Sequence, residues 1–146
     1  MIRGADRVTA VLANSGTDIV FSLSGNQIMP LYDACIEPAI RIVHTRHESA
    51  AVFMAEAYAQ LSSRPGVALV TAAPGFANAL GALYSASLSE TPVILLSGDS
   101  PADLAGRGAF QEFDQCAAAT PFVKSSQRVT DVSAFHKQWQ LSLIHI

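Results

Sequence analysis

Apolar and polar positions along the chain change period repeatedly. In "GADRVTAVLANSG" the apolar residues Val8, Val11 and Leu12 recur at helical spacing, and Gly16 offers a left-handed stop. "DIVFSL" is a short continuous apolar run, which reads as a buried strand, and "SGNQ" is a turn. "IMPLYDACI" reads as a short helix with Pro30 in its first turn, and "IRIVH" as a second strand. A helix is predicted over 48–61 and closed by "SSRPG". "VALVTA" then gives a third strand, "PGFANALGALYSASLS" a turn and helix, and "PVILLSG" a fourth strand. "FVKSSQRV" is read as a fifth strand, and "DVSAFHKQWQ" starts a last helix capped by Asp131 or Ser133. Strand and helix alternate, so the predicted fold is α/β, a parallel sheet with helices on both faces. The loop "GDSPADLAGRGAFQEFDQ" follows the fourth strand, at the edge where open parallel sheets bind ligands.

Composition narrows the function classes. The chain has 146 residues, 50% hydrophobic and 14% charged, with a net charge of −3. That is enough for one domain with a real core, and disorder is not expected. The slight acidity and the lack of a basic run argue against nucleic acid or an anionic membrane as partner. No apolar stretch reaches the roughly 18 residues of a membrane span. The first residues, "MIRGADRVTA", lack the apolar segment of a secretory signal. Cys35 and Cys116 stand apart without metal-type spacing, which fits reduced thiols in a cytoplasmic protein. The low charge and high alanine content also suggest that a sizeable surface is covered by something else.

Phosphate-loop, dinucleotide-fingerprint, serine-elbow and HExxH patterns are absent. His44 and His47 are three apart with only Glu48 near as a third ligand, and no metal site is assigned. Three stretches remain. In "HTRHESAAVFMAEAYAQ", Glu48 heads an alanine-rich helix. One reading makes it half of a capping box with Thr45. The other puts it at the ligand edge of the sheet, where apolar surroundings favour a protonated carboxyl that can donate to a ligand's ring nitrogen. In "TAAPGFANAL", Pro74-Gly75 makes a tight turn, Gly75 admits a close neighbour and Asn78 offers both donor and acceptor. The stretch is also readable as an ordinary strand-to-helix turn. In "GAFQEFDQ", Phe110 and Phe113 flank Gln111, as loop anchors or as the lining of a pocket.

Together these stretches resemble the N-terminal, pyrimidine-binding domain of thiamine diphosphate enzymes of the acetolactate synthase type. "TRHESAAVFMAEAYAQLSSRPGVALVTAAPGFANAL" carries the resemblance, and "VFSLSGNQIMPLYDAC" and "SETPVILLSGDSPADLAGRGAFQEFDQ" extend it in the right order, over about residues 3–135. The resemblance implies a catalytic role for Glu48. In the family, the matching glutamate hydrogen-bonds N1′ of the cofactor's aminopyrimidine. That favours the imino tautomer, whose 4′ nitrogen deprotonates the thiazolium. The resulting ylide attacks a 2-oxo acid, carbon dioxide leaves, and a second acceptor takes the two-carbon unit. It further implies that Gly25, Pro74, Gly75 and Asn78 bind the cofactor, and that Phe110 and Gln111 face the substrate. Where the family often shows GIPG this chain has Ser22-Leu23-Ser24-Gly25, and where it often shows SGPG this chain has Ala72-Ala73-Pro74-Gly75. These departures bear on the substrate more than on the cofactor.

The same resemblance implies partners. Such enzymes bind the diphosphate through Mg2+ in a second domain with a GDG…N motif, which is absent here, as is the central domain that carries FAD in acetolactate synthases. The active site forms with the diphosphate-binding domain of another subunit, so a homo-oligomer is expected and this chain alone is expected to be inactive. The domain is expected over 1–139. Residues 140–146, "QLSLIHI", read as the translation of a sequencing adapter on a truncated chain, or else as a genuine apolar tail that packs on a partner. The expected function is the pyrimidine-binding part of a carboligase or decarboxylase of 2-oxo acids, in branched-chain amino acid biosynthesis if a true acetolactate synthase. The alternatives are a 2-hydroxyacyl-CoA lyase or oxalyl-CoA decarboxylase, and a non-catalytic docking module of a split enzyme.

Overall fold

A computed structural model describes residues 3–130. The alternation read from the sequence is present. Helix α1 (Gly4–Asn14) leads into β1 (Ile19–Ser22), α2 (Met29–Ala34) into β2 (Arg41–His44), and α3 (Glu48–Ser62) into β3 (Gly66–Val70). Then α4 (Pro74–Leu88) leads into β4 (Val93–Ser97), and a short α5 (Gln115–Ala119) follows the long loop. The four strands are all parallel, in the order β2-β1-β3-β4.

Side chains alternate across the sheet and build two cores. Ile19, Phe21, Ala68 and Val70 point to one face, where Ala51, Val52 and Ala55 of α3 and Phe76, Ala79 and Ala82 of α4 cover them. Val20, Val67 and Leu69 point to the other, where Leu12 of α1, Ile28 and Cys35 cover them. Alanines at the α3 and α4 contacts let these helices lie close to the sheet and to each other, at no cost in helix propensity. The predicted face of the first helix holds: Leu12 is buried, and Val8 and Val11 pack beside it.

Continuous apolar runs led to the expectation of strands buried on both sides. That holds for β1 and β3, whose residues are all buried. β2 and β4 are the sheet edges and stay partly exposed. The fifth strand expected over 122–129 does not form. Thr120–Phe122 make a 3-10 turn, and the polar residues beyond run on without joining the sheet. Arg128 there pairs with Asp99 at 2.8 Å. The expected helix over 131–140 and the tail 140–146 lie outside the described residues.

Burial predicts which leucines matter. Leu69 is 2% exposed in the middle of β3, while Leu61 at the end of α3 is 88% exposed. Leu69→Ala should cost about 3 kcal/mol in urea unfolding, and Leu61→Ala less than about 0.5 kcal/mol. Equal losses would contradict the packing described.

Candidate functional site

The loops after the four strands gather at one end of the sheet. β1 sends its chain through α2 on one face to β2, and β3 sends its chain through α4 on the opposite face to β4. The ends of β1 and β3 therefore diverge, and open parallel sheets bind ligands in such a crevice. Gly25, Gln27, Glu48, Thr71, Gly75, Asn78 and Gln111 all lie on these loops or at the helix starts beyond them.

Glu48 is the first residue of α3 and is only 7% exposed. Its Oε2 accepts a hydrogen bond from Asn78 Nδ2 at 3.0 Å. Among the described residues, Oε1 has no hydrogen-bond partner. The capping box with Thr45 does not form. His47 is the N-cap, and its ring nitrogen Nδ1 accepts from the Ser49 amide at 3.2 Å. Thr45 is instead buried, with Oγ1 at 3.0 Å from the His47 carbonyl and 3.3 Å from that of Ser22. The helix thus starts later than a Thr45 cap requires, and the Glu48 side chain is released from capping toward α4. Ser49 Oγ adds a hydrogen bond to the Asn78 carbonyl.

Two glycines flank Thr71. A Cβ on Gly25 would strike the Thr71 side chain, and one on Gly75 would come within 2.6 Å of Thr71 Cγ2 and 3.2 Å of Glu48 Oε1. The bare Cα of Gly75 therefore keeps the space beside the carboxyl open, and that of Gly25 lets the Thr71 side chain pack against it. Pro74 begins α4, so the tight turn expected at Pro74-Gly75 falls just before it, at Ala73, with φ 48° and ψ −97°. That region suits glycine, and the alanine there is strained.

The loop after β4 carries the third expected pair. Phe110 is 80% exposed, on the rim of a cleft of about 450 Å3 shared with Asn26, Gln27, Pro101 and Leu104. Gln111 hydrogen-bonds Gln27. Phe113 turns the other way and packs on Phe76 with ring centroids 6.3 Å apart, so it anchors the loop. Among the described residues no group of three or more His, Cys, Asp or Glu could hold a metal ion, and His44 and His47 are exposed.

The family model described as thiamine pyrophosphate enzyme, N-terminal TPP binding domain, matches residues 2–118. The chain belongs to this family. It is 43% identical over 129 residues to 2-hydroxyacyl-CoA lyase 2 of Danio rerio, covering 88% of this chain and 21% of that protein. The human 2-hydroxyacyl-CoA lyase 2 is also 43% identical, over 132 residues, with the same coverage. The acetolactate synthase large subunit IlvG of Mycobacterium tuberculosis is 40% identical over 113 residues, covering 77% of this chain and 21% of that protein. The chain thus spans about a fifth of the length of the curated relatives it matches.

Within this thiamine pyrophosphate-binding domain the structure brings Glu48, Gly75 and Asn78 together, with Gly25 across Thr71 from them. Phe110 and Gln111 stand at the other side of the crevice, reached through Gln27. Sequence reading missed Thr71, Gln27 and Glu112. Thr71 Oγ1 donates to Gln27 Oε1 at 2.6 Å. Glu112 ties its loop by accepting from the amides of Gly106, of Gly108 at 2.8 Å and of Ala109 at 3.1 Å. Each lies inside or beside a stretch singled out in the sequence, "SGNQ", "TAAPGFANAL" and "GAFQEFDQ", but none was assigned a role there.

Two outcomes follow for this domain. Ala73→Gly should raise stability by about 1 kcal/mol by relieving the positive φ, and thermal unfolding should shift up by about 2–4 °C; a lower midpoint would show that Ala73 is unstrained. The Gly106 amide, and then those of Ala109 and Gly108, hold the Glu112 carboxyl below its ordinary range. A depressed folded value means that the carboxylate's hold on the loop is complete above the unfolded value of about 4.3 and is lost as pH falls through the folded one. The Gly106 and Gly108 amide shifts should accordingly titrate with a midpoint below about 4.3; a midpoint at or above it contradicts the contact.

Proposed function

We propose that this chain supplies the pyrimidine-end half of a thiamine diphosphate site, in a full-length enzyme that makes or breaks a carbon–carbon bond beside a carbonyl. The observation that carries this reading is the Glu48 carboxyl. It is buried, held through Oε2 by Asn78, and bordered at Oε1 by the bare Cα of Gly75. Such a group fits a flat nitrogen heterocycle better than it fits water, because burial strengthens one directed hydrogen bond to a ring nitrogen. When bound, the cofactor supplies an acidic ring carbon and an electron sink for 2-oxo acid chemistry. Glu48 then holds a proton at pyrimidine N1′, and Asn78 fixes its orientation. Gly25, Pro74 and Gly75 shape the approach of the ring. Phe110 and Gln111 meet the substrate at the cleft.

The remainder of the site belongs outside this chain. Mg2+ and the diphosphate are held by a diphosphate-binding domain from a second subunit of a homo-oligomer. The outer faces of α3 and α4 support such a partner: Phe53, Met54, Tyr84 and Leu88 are exposed there, and the charged residues of these helices, Glu48 and Glu56, are both buried. On the acetolactate synthase reading the substrate is a 2-oxo acid such as pyruvate, the full protein has a place for FAD, and its setting is cytoplasmic branched-chain amino acid biosynthesis. The free thiols of Cys35 and Cys116 agree with a reducing compartment. No helix among the described residues is long and apolar enough to cross a membrane. A second reading, cleavage of a 2-hydroxyacyl-CoA, is favoured by the higher identity to 2-hydroxyacyl-CoA lyase 2 over a longer stretch.

Glu48→Gln in the full-length protein tests the shared chemistry. Turnover of pyruvate or of a 2-hydroxyacyl-CoA, whichever the wild type accepts, should fall at least about 100-fold, with thiamine diphosphate still bound. Near-normal turnover would remove Glu48 from the proton-transfer role, and the accepted substrate decides between the two enzyme readings.

A further inference from the structure

Gln27 sits in the 3-10 turn Asn26–Ile28 after β1, at the crevice between the ends of β1 and β3. Both ends of its amide are engaged, on opposite sides. Oε1 accepts from Thr71 Oγ1 at 2.6 Å, and Nε2 donates to Gln111 Oε1. Thr71 is the residue packed against both Gly25 and Gly75, one contact away from Glu48. A single neutral side chain therefore joins the floor of the carboxyl site to the loop on the far side of the cleft.

Gln111 needs such a hold. Its backbone lies at φ 62°, a left-handed conformation that a glutamine rarely adopts unless its surroundings fix it. Glu112 gathers the amides of Gly106, Gly108 and Ala109 on one side of this residue, and Gln27 fastens its side chain on the other. Because Gln27 occupies Gln111 Oε1, the two N–H donors on Gln111 Nε2 are left without a partner among the described residues. Gln111 itself does not line the cleft, but its partner Gln27 and its neighbours Ala109 and Phe110 do, together with Asn26, Asp99, Pro101 and Leu104.

We infer that Gln27 is a positioning residue: it orients the Gln111 amide so that Gln111 offers hydrogen-bond donors to an acceptor oxygen of the substrate, a carboxylate or carbonyl. This rests on the functional reading above, in which Gln111 meets substrate, and it adds both the residue that sets its polarity and the substrate group that it recognises. Gln27 does not touch the reacting atoms. It acts through Gln111, so its removal weakens substrate binding rather than cofactor binding.

The test uses the full-length protein and two variants. Gln27→Leu removes the tether. Gln27→Glu keeps the acceptor toward Thr71 but presents a second acceptor to Gln111, which reverses the Gln111 amide while preserving size. Hydrogen exchange over 109–112 reads the tether without any turnover, and it should quicken at least about threefold in Gln27→Leu and stay slow in Gln27→Glu. KM for the accepted substrate should rise about tenfold in both variants, as for loss of one hydrogen bond, with the thiamine diphosphate Kd changed less than about twofold. Unchanged exchange in Gln27→Leu overturns the tether. An unchanged KM in Gln27→Glu overturns the donor polarity. A wild-type protein that binds no thiamine diphosphate would overturn the functional reading, and the substrate role of Gln27 with it, while the exchange comparison would still decide the tether.

Discussion

Asn78 donates to a carboxyl oxygen of Glu48 at 3.0 Å, and the ligand edge of the domain is organised around that contact. A carboxyl only 7% exposed costs free energy unless its oxygens are engaged. One oxygen is engaged by Asn78. The other borders Gly75, where side-chain atoms would otherwise fill the space. The bond also fixes two helix starts relative to each other, because Glu48 opens α3 and Asn78 lies one turn into α4. Ser49 reinforces it from α3, and at the far end Ser89 donates to the buried Glu56 at 2.6 Å. α4 is thus pinned to α3 near both of its own ends, at the start and the middle of α3, and the alanines between them supply close packing.

This arrangement trades local comfort for an open site. Ala73 and Gln111 both hold positive φ at the crevice, one before α4 and one in the loop after β4. Strain of this kind persists where neighbouring contacts over-determine the backbone. Gln115 supplies such contacts at the root of the loop: buried, it donates to the Gly98 carbonyl at 2.9 Å and accepts from Ser97 Oγ at 2.7 Å. Glu112 and Gln27 supply them nearer the tip. Phe53, Met54, Tyr84 and Leu88 are exposed on α3 and α4, while the charged residues of these helices, Glu48 and Glu56, are buried.

Much of the fold was legible because each element announces itself over a few consecutive residues. "VALVT" and "PVILLS" are apolar runs of strand length, and "SSRPG" ends α3 with Ser63 at φ 56°. Where the reading went astray, the signal was ambiguous at short range. Thr45 and Glu48 have capping-box spacing, but His47 takes the cap, and Thr45 is spent on the carbonyls of Ser22 and His47. "FVKSSQRV" has strand-like ends around a polar middle, and its Arg128 goes to an ion pair with Asp99 while the stretch stays outside the sheet. In the site, Glu48, Gly75 and Asn78 stood out through motif and position. Gln27, Thr71 and Glu112 did not. Gln27 meets residues 44 and 84 positions away, Thr71 and Gln111, through neutral groups that have no characteristic spacing.

The central claim is that the Glu48 carboxyl is held ready for a pyrimidine ring nitrogen. The most direct measurement is the nitrogen NMR shift of thiamine diphosphate labelled with 15N at N1′ and bound to the full-length protein, compared with the Glu48→Ala variant. The account predicts that N1′ moves toward its protonated, hydrogen-bonded position in the wild type and returns toward its free-cofactor value in the variant. An N1′ shift that is the same in both proteins, with the cofactor bound in each, would contradict it.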